Sequence, residues 1–92
     1  MTENEIVSAV KLATEVANRV CHPSIEFKTE YVIKPHGCKN QLNVICICKD
    51  DKLADNVLYY LGDVARVISE FIKKKYKLKS MGGNRVKAFF TI

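Results

Sequence analysis

The sequence predicts a single α+β domain, a two-layer sandwich in which two helices cover one face of a three-stranded sheet. Two segments carry apolar residues at helical spacing, two show the alternation of a strand, and a short apolar segment lies between turn signals, in the order α-β-β-α-β. The chain has 92 residues and is 48% apolar, which suffices for one core between two layers. We therefore expect residues 1–92 to form one domain.

The first predicted helix covers residues 3–20. Its apolar residues recur at spacings of three and four, and they are Ile6, Ala9, Val10, Ala13, Val16, Ala17 and Val20. Thr2 and Glu5 have the spacing of a capping box. Pro23 prevents the helix from continuing.

An antiparallel hairpin is predicted next, with strands at residues 25–34 and 41–48. In the first strand every second residue faces the core, namely Ile25, Phe27, Thr29, Tyr31 and Ile33. The second strand carries apolar residues at both parities, so we expect it at the centre of the sheet. A turn-forming segment, 35–40, joins the two strands.

A second helix is predicted from Asp50 or Asp51, either of which can cap it, to about residue 75. Its expected buried residues are Leu53, Val57, Leu61, Val64, Ile68, Phe71 and Ile72. Gly62 is expected at a close contact between the helices. Residues 77–84 are expected to be a polar connection, and residues 85–92 alternate again as a third strand.

These assignments define a predicted core between the helices and the sheet. It consists of Ile6, Val10, Ala13, Ala17, Phe27, Tyr31, Val44, Cys46, Val57, Leu61, Val64, Ile68, Val86 and Phe90.

The cysteines and histidines do not form a recognised metal or catalytic motif. The pairs that come closest are Cys21-His22, His36-x-Cys38 and Cys46-x-Cys48. Zinc needs about four converging ligands, whereas these pairs are expected at different ends of the domain. We therefore expect no metal, no cofactor and no enzymatic activity. The loop 80–85 could present backbone N–H groups to a phosphate, but it lacks a known phosphate-binding motif, and a plain loop is the favoured interpretation.

The charge distribution gives the main functional prediction. The net charge is +5, and residues 71–92 hold seven cations and no acidic residue, which favours a polyanionic partner. The candidate nucleic-acid-binding residues are Lys73, Lys74, Lys75, Lys77, Lys79, Arg85, Lys87 and Phe89. The cations would neutralise phosphates, and Phe89 or Tyr76 could stack on an unpaired base. The alternative is a solubilising helix end, where lysine is favoured by the helix dipole.

A second candidate surface is the sheet face that no helix covers. Its predicted apolar cluster is Val32, Ile45, Ile47 and Phe89, ringed by Lys28, Lys34, Lys49, Arg85 and Lys87. An apolar cluster in such a place is typical of an interface. We expect a homodimer or a subunit of a complex, and the alternative function is a non-catalytic protein-interaction subunit, accessory or inhibitory.

The sequence also indicates where the protein works. No apolar run approaches the ~20 residues that span a bilayer, and the acidic start is unlike a signal peptide. We expect a cytoplasmic protein, or a virion-associated one if the source is viral, with no membrane partner. Its four cysteines are then expected to be reduced.

Two family resemblances are limited in extent. The element order resembles that of type II KH modules, but the GXXG loop of those modules is missing, and the segment 81–84 is not that motif. The stretch from Leu42 to Ile72 is similar to the dimerising subunit of the KEOPS tRNA-modification complex, without a shared specific motif. Neither resemblance assigns a role to a residue.

Overall fold

The computed structural model describes the backbone of residues 1–92 and every side chain except that of Ala54. The elements are α1 (Glu3–Val20), β1 (Ile25–Val32), β2 (Gln41–Cys48), α2 (Val57–Ile72), β3 (Tyr76–Gly82) and β4 (Arg85–Thr91). A 3₁₀ helix, Asp51–Asn56, leads into α2. The strands form one antiparallel sheet in the order β1-β2-β4-β3. The predicted α+β class is confirmed.

The predicted capping box at the start of α1 is present. The Thr2 hydroxyl accepts a hydrogen bond from the Glu5 N–H at 3.2 Å, and the Glu5 carboxylate accepts one from the Thr2 N–H at 3.2 Å. The bond from the Thr2 backbone also lowers the pKa of Glu5. Further along α1, the Asn18 amide bonds the N–H and C=O of Phe27 in β1, which holds the helix to the outer edge of the sheet.

The prediction of three strands is wrong by one. Residues 77–84 were expected to be a polar connection, but most of them belong to β3, which pairs with β4. Gly82 and Gly83 have φ angles of 84° and 59°, a conformation that glycine adopts without a steric penalty. They let the chain reverse directly into β4. β3 is an edge strand in which only Tyr76 is half-buried. Because the other side chains of β3 are exposed, its sequence shows little of the apolar alternation that identifies a strand.

The second helix is shorter than predicted. Asp50 accepts a hydrogen bond from the Lys52 N–H at 3.0 Å, but the turn that follows is 3₁₀, and the α-helix begins at Val57 and ends at Ile72. Gly62 is not at a close helix contact, because a Cβ placed there would have no atom of the described structure within 4 Å.

The core lies between the helices and the inner face of the sheet. All fourteen predicted core residues are either buried or packed against the buried cluster. The predicted core omitted Leu42, Ala65 and Ala88, all three 0% exposed. Conversely, Val16, Val20 and Phe71 belonged to the predicted buried stripes and are exposed. Ile33 was also predicted to face the core but is exposed, because β1 ends at Val32 and not at residue 34.

Candidate nucleic-acid interface

The sheet face opposite to the helices is built from alternate residues of all four strands. Strand register places these residues in rows that cross the sheet. One row consists of Glu30, Asn43, Phe89 and Lys77, and the next consists of Lys28, Ile45, Lys87 and Lys79. We call this surface the uncovered face.

The β3 and β4 half of the uncovered face is basic. It carries Lys77, Lys79, Arg85 and Lys87, and neither strand contains an acidic residue. Lys79 lies directly opposite Lys87 in the register, an arrangement in which like charges destabilise a sheet. None of the four cations forms an ion pair with any acid among the described side chains. Their charges are therefore available to an external anion.

Phe89 lies among these cations. It is the register partner of Lys77, and the Lys87 Nζ is 5.7 Å from the centroid of its ring, within the range of a cation–π contact. The side chain is half-buried and lies on the uncovered face. An aromatic ring flanked by lysines can stack on a base whose phosphates those lysines contact.

Tyr76 is not part of this surface, contrary to the sequence-based interpretation. It pairs with Phe90, and the two ring centroids are 5.8 Å apart with planes inclined by 47°. Because Phe90 is completely buried, Tyr76 packs against the core on the opposite side of the sheet from Phe89.

The predicted lysine cluster is divided into two groups. Lys77 and Lys79 lie on β3, whereas Lys73, Lys74 and Lys75 form the connection between α2 and β3. Lys73 is in the left-handed region with φ 57°, and the N–H groups of Lys73 and Lys74 both donate to the C=O of Ser69. This connection ends α2 and leads into β3.

The β1 half of the uncovered face is electrically balanced. Glu26 contacts Lys49 at 3.0 Å and Lys28 at 3.6 Å, and the bond to Lys49 is the main reason for the lowered pKa of Glu26. Two cations of the predicted ring are thus already paired. The unpaired positive charge of the face lies on β3 and β4.

The four residues of the predicted apolar interface do not form one cluster. Hydrogen-bonded polar residues separate Val32 from the other three: Gln41 donates to Asn43 at 2.8 Å, and Asn43 donates to Glu30 at 3.1 Å. Val32 pairs with Gln41, four residues along β2 from Ile45, which is about 13 Å. Ile45 and Ile47 remain as a half-buried pair beside the cations.

The cysteines do not assemble a metal site among the described residues, in which no three Cys, His, Asp or Glu side chains are close enough to hold an ion. Cys46 and Cys48 are buried on the helix side. Burial, together with the neighbouring thiols of Cys48 and Cys21, raises the pKa of Cys46 to about 12. Cys38 is exposed in the turn between β1 and β2. Thiols as buried as Cys46 are poor nucleophiles at neutral pH.

The loop at residues 80–85 is a structural turn. The Asn84 amide donates to the Asp51 carboxylate at 2.7 Å, and the Asn84 C=O accepts from the Cys48 N–H at 2.9 Å. These bonds attach the turn to the end of β2 and the 3₁₀ helix. They also bring a carboxylate close to the loop, which disfavours a phosphate there.

Comparison with known proteins assigns no family. No protein-family model matches this chain, and no curated protein and no solved structure shows significant similarity to it. Within the described residues, neither helix combines the length and the apolar content that crossing a bilayer requires. The geometry of the uncovered face is therefore the main guide to function.

Proposed function

We propose that this protein binds single-stranded nucleic acid on the β3–β4 half of the uncovered face. The observation that carries the proposal is the direct opposition of Lys79 and Lys87 with no carboxylate paired to either among the described side chains. Like charges in this position lower stability. A bound polyanion would neutralise both lysines and remove their repulsion, and the removal of this repulsion would add to the free energy of binding.

The spread of the cations favours a chain of phosphates over a single small anion. Lys77 and Lys79 follow one strand and Arg85 and Lys87 follow the next, so the charges form a surface and not a pocket. Phe89 adds an aromatic ring in their midst. Cationic surfaces with exposed aromatic residues bind unpaired bases in several folds, including the sheet faces of RNA-binding domains.

Protection of a sheet edge explains only part of the pattern. Lysine on an edge strand discourages pairing with other chains, and this suits Lys77 and Lys79 on β3. It does not apply to Arg85 and Lys87, because β4 is hydrogen-bonded on both sides. A binding function accounts for all four cations.

The alternative function, a non-catalytic protein-interaction subunit, would use the same face. Ile45 and Ile47 support it, since they are apolar and only half-buried in the structure. The two functions differ in their ligand, so a nucleic-acid binding assay separates them. Either one is a binding role without catalysis, and we propose a cytoplasmic location for both.

The test is fluorescence anisotropy with labelled single- and double-stranded DNA and RNA of mixed sequence at increasing salt. For the wild type we expect the log–log plot of affinity against salt to have a slope of about −2 to −3, as for three or four phosphates of a single strand. The triple variant K77A/K79A/K87A should flatten that slope by about 2. The control K11A/K39A/K52A removes the same charge from exposed positions outside β3 and β4 and should leave the slope nearly unchanged.

Phe89 provides a separate readout of stacking. Phe89→Ala should weaken single-stranded binding by about 1–3 kcal/mol, Phe89→Tyr should retain most of it, and duplex binding should change less. Absence of binding at 50 mM salt contradicts the proposal. Equal effects of the two lysine triples would also contradict it, because binding would then follow net charge and not this surface.

A further inference from the structure

The outer side of the helix layer contains an apolar groove between α1 and α2. Its volume is about 540 Å³, and Asp63 is the only charged residue among the described side chains that line it. Leu12 and Val16 from α1 and Val67 and Phe71 from α2 are 62%, 48%, 61% and 63% exposed. A surface of this kind on a small domain marks an interaction site.

The groove is not needed to hold the two layers together. α1 buries Val10 and Ala17 against the sheet, and α2 buries Leu61 and Ile68. The exposed residues form a second apolar stripe on each helix, with Leu12–Val16 and Val67–Phe71 each four residues apart and therefore on one side of their helix. Small residues such as Ala13 lie at the groove, so the large side chains stand apart and leave room between them.

Charge decides what can cover this surface. Residues 8–20 and 57–72 together carry three cations and three anions: Lys11, Arg19 and Arg66, and Glu15, Asp63 and Glu70. A second copy can therefore meet this surface without net repulsion. The strand residues of the uncovered face instead include five cations and two carboxylates, so pairing that face with its own copy would bring like charges together.

The exposed apolar area of the two helices contributes to what a dimer interface needs. The four exposed side chains present roughly 300–400 Å² of apolar surface. A standard interface buries about 800 Å² per partner, of which about 65% is apolar in homodimers. Only part of this surface faces the groove, so the groove supplies a part of the apolar share and the neighbouring helix residues would supply the rest.

We propose that a second copy of this chain docks on the α1–α2 groove, with helix layer against helix layer. The homodimer expected from the sequence is thereby moved from the sheet to the helices. Both basic faces then point outward on opposite sides of the dimer. This inference does not depend on the nucleic-acid proposal, because it follows from the groove and its charges alone.

Sedimentation equilibrium and light scattering between 5 and 500 μM test this docking. The wild type should approach twice the 10.4 kDa mass of the chain. Leu12→Glu and Phe71→Lys should each weaken dimerisation at least tenfold, while circular dichroism shows an unchanged fold, since both sites are exposed. Ile33→Glu, at a position 76% exposed outside the groove, and Ile45→Glu on the sheet should leave the dimer intact.

A wild type that stays monomeric at 500 μM overturns the proposal. A monomer is the result expected if the groove binds a helix of another protein. Dissociation by Ile45→Glu with retention of the dimer in Phe71→Lys also overturns it and returns the interface to the sheet. Two groove variants are used so that misfolding of one still leaves a decisive result from the other.

Discussion

Lys79 and Lys87 lie directly opposite each other across the β3–β4 pair, on the face of the sheet that no helix covers. In an antiparallel pair such residues have Cβ atoms about 4.5–5.5 Å apart, and like charges there are unfavourable. A sequence under selection for stability alone has no reason to keep this pair. A binding surface for an anion does.

Replacing Lys79 by Glu should raise stability and weaken binding at the same time. The new carboxylate would pair with the Lys87 ammonium and change a repulsion into an attraction, so we expect the free energy of unfolding to rise by about 0.5–1 kcal/mol. Urea denaturation at low salt measures this. Nucleic-acid affinity should fall in the same variant.

The control for this variant is Lys39→Glu, which changes the net charge equally at an exposed turn and should alter stability by less than about 0.5 kcal/mol. The gain from Lys79→Glu should also shrink at high salt because of screening. A variant that is less stable than the wild type at low salt would refute the idea that Lys79 and Lys87 repel each other.

Asn18 should be important for attaching α1 to β1. Its Nδ2 donates to the Phe27 C=O at 3.0 Å and its Oδ1 accepts from the Phe27 N–H at 2.7 Å. Asn18→Ala removes both bonds, and we expect a loss of about 1–2 kcal/mol in the free energy of unfolding. Asn4→Ala, at an exposed site in the first turn of α1, is the matched control and should be nearly neutral. Equal stability of the two variants would mean that the bonds to Phe27 contribute nothing.

The four thiols should differ widely in reactivity. Cys38 is exposed, whereas Cys46 is buried and burial raises its pKa to about 12. At pH 7.5 iodoacetamide should label Cys38 quickly and Cys46 only through unfolding, since the thiolate is the reactive species. Mass spectrometry of digested samples follows each site over time. Labelling of Cys46 as fast as Cys38 would show that the core is open.

The same raised pKa predicts how stability depends on pH. In the unfolded chain the Cys46 thiol ionises near its ordinary pKa of about 8.5, whereas in the folded protein it stays protonated to about 12. The unfolded state then holds fewer protons, so stability contributed by Cys46 is complete below about pH 8.5 and is lost as pH rises toward 12. Cys46→Ala should lose this decline, with a slope smaller by up to about 1.4 kcal/mol per pH unit. If the free energy of unfolding falls with the same slope for the wild type and Cys46→Ala between pH 8.5 and 10.5, the raised pKa of Cys46 is contradicted.

Much of the fold could be predicted because the local sequence patterns agree with which residues are buried. The Thr2–Glu5 capping box places the start of α1, and the alternation from Ile25 to Tyr31 identifies which residues of β1 face the helices. On β2, the predicted core contained Val44 and Cys46 but omitted Leu42, which has the same parity and is fully buried. The apolar residues at both parities predicted a central strand, and β2 is hydrogen-bonded on both sides.

The sequence did not predict the strand β3 for a different reason. An edge strand that buries little needs few apolar residues, and its lysines resemble a solvated helix end. The alternation of Tyr76, Leu78 and Ser80 with lysines and Met81, followed by Gly82-Gly83, was the signal that could have identified a hairpin. Without β3 the sequence could name Lys79 and Lys87 as candidates but could not put them opposite each other. Likewise, the apolar periodicity of α2 did not show that Phe71 faces solvent, because this helix carries two adjacent apolar stripes and only one of them is buried.

Amide chemical-shift mapping locates a ligand on the protein surface and therefore tests the proposal that nucleic acid binds on β3 and β4. A ¹⁵N-labelled sample is titrated with a single-stranded ten-nucleotide oligomer at 50 mM salt. We expect the largest shifts at residues 76–91, with Phe89 among them, and small shifts throughout α1. Raising the salt to 200 mM should reverse them as affinity falls by about 20- to 50-fold, the effect expected for three or four phosphate contacts. Shifts confined to α1 and α2, or no shifts at millimolar oligomer, would contradict the claim.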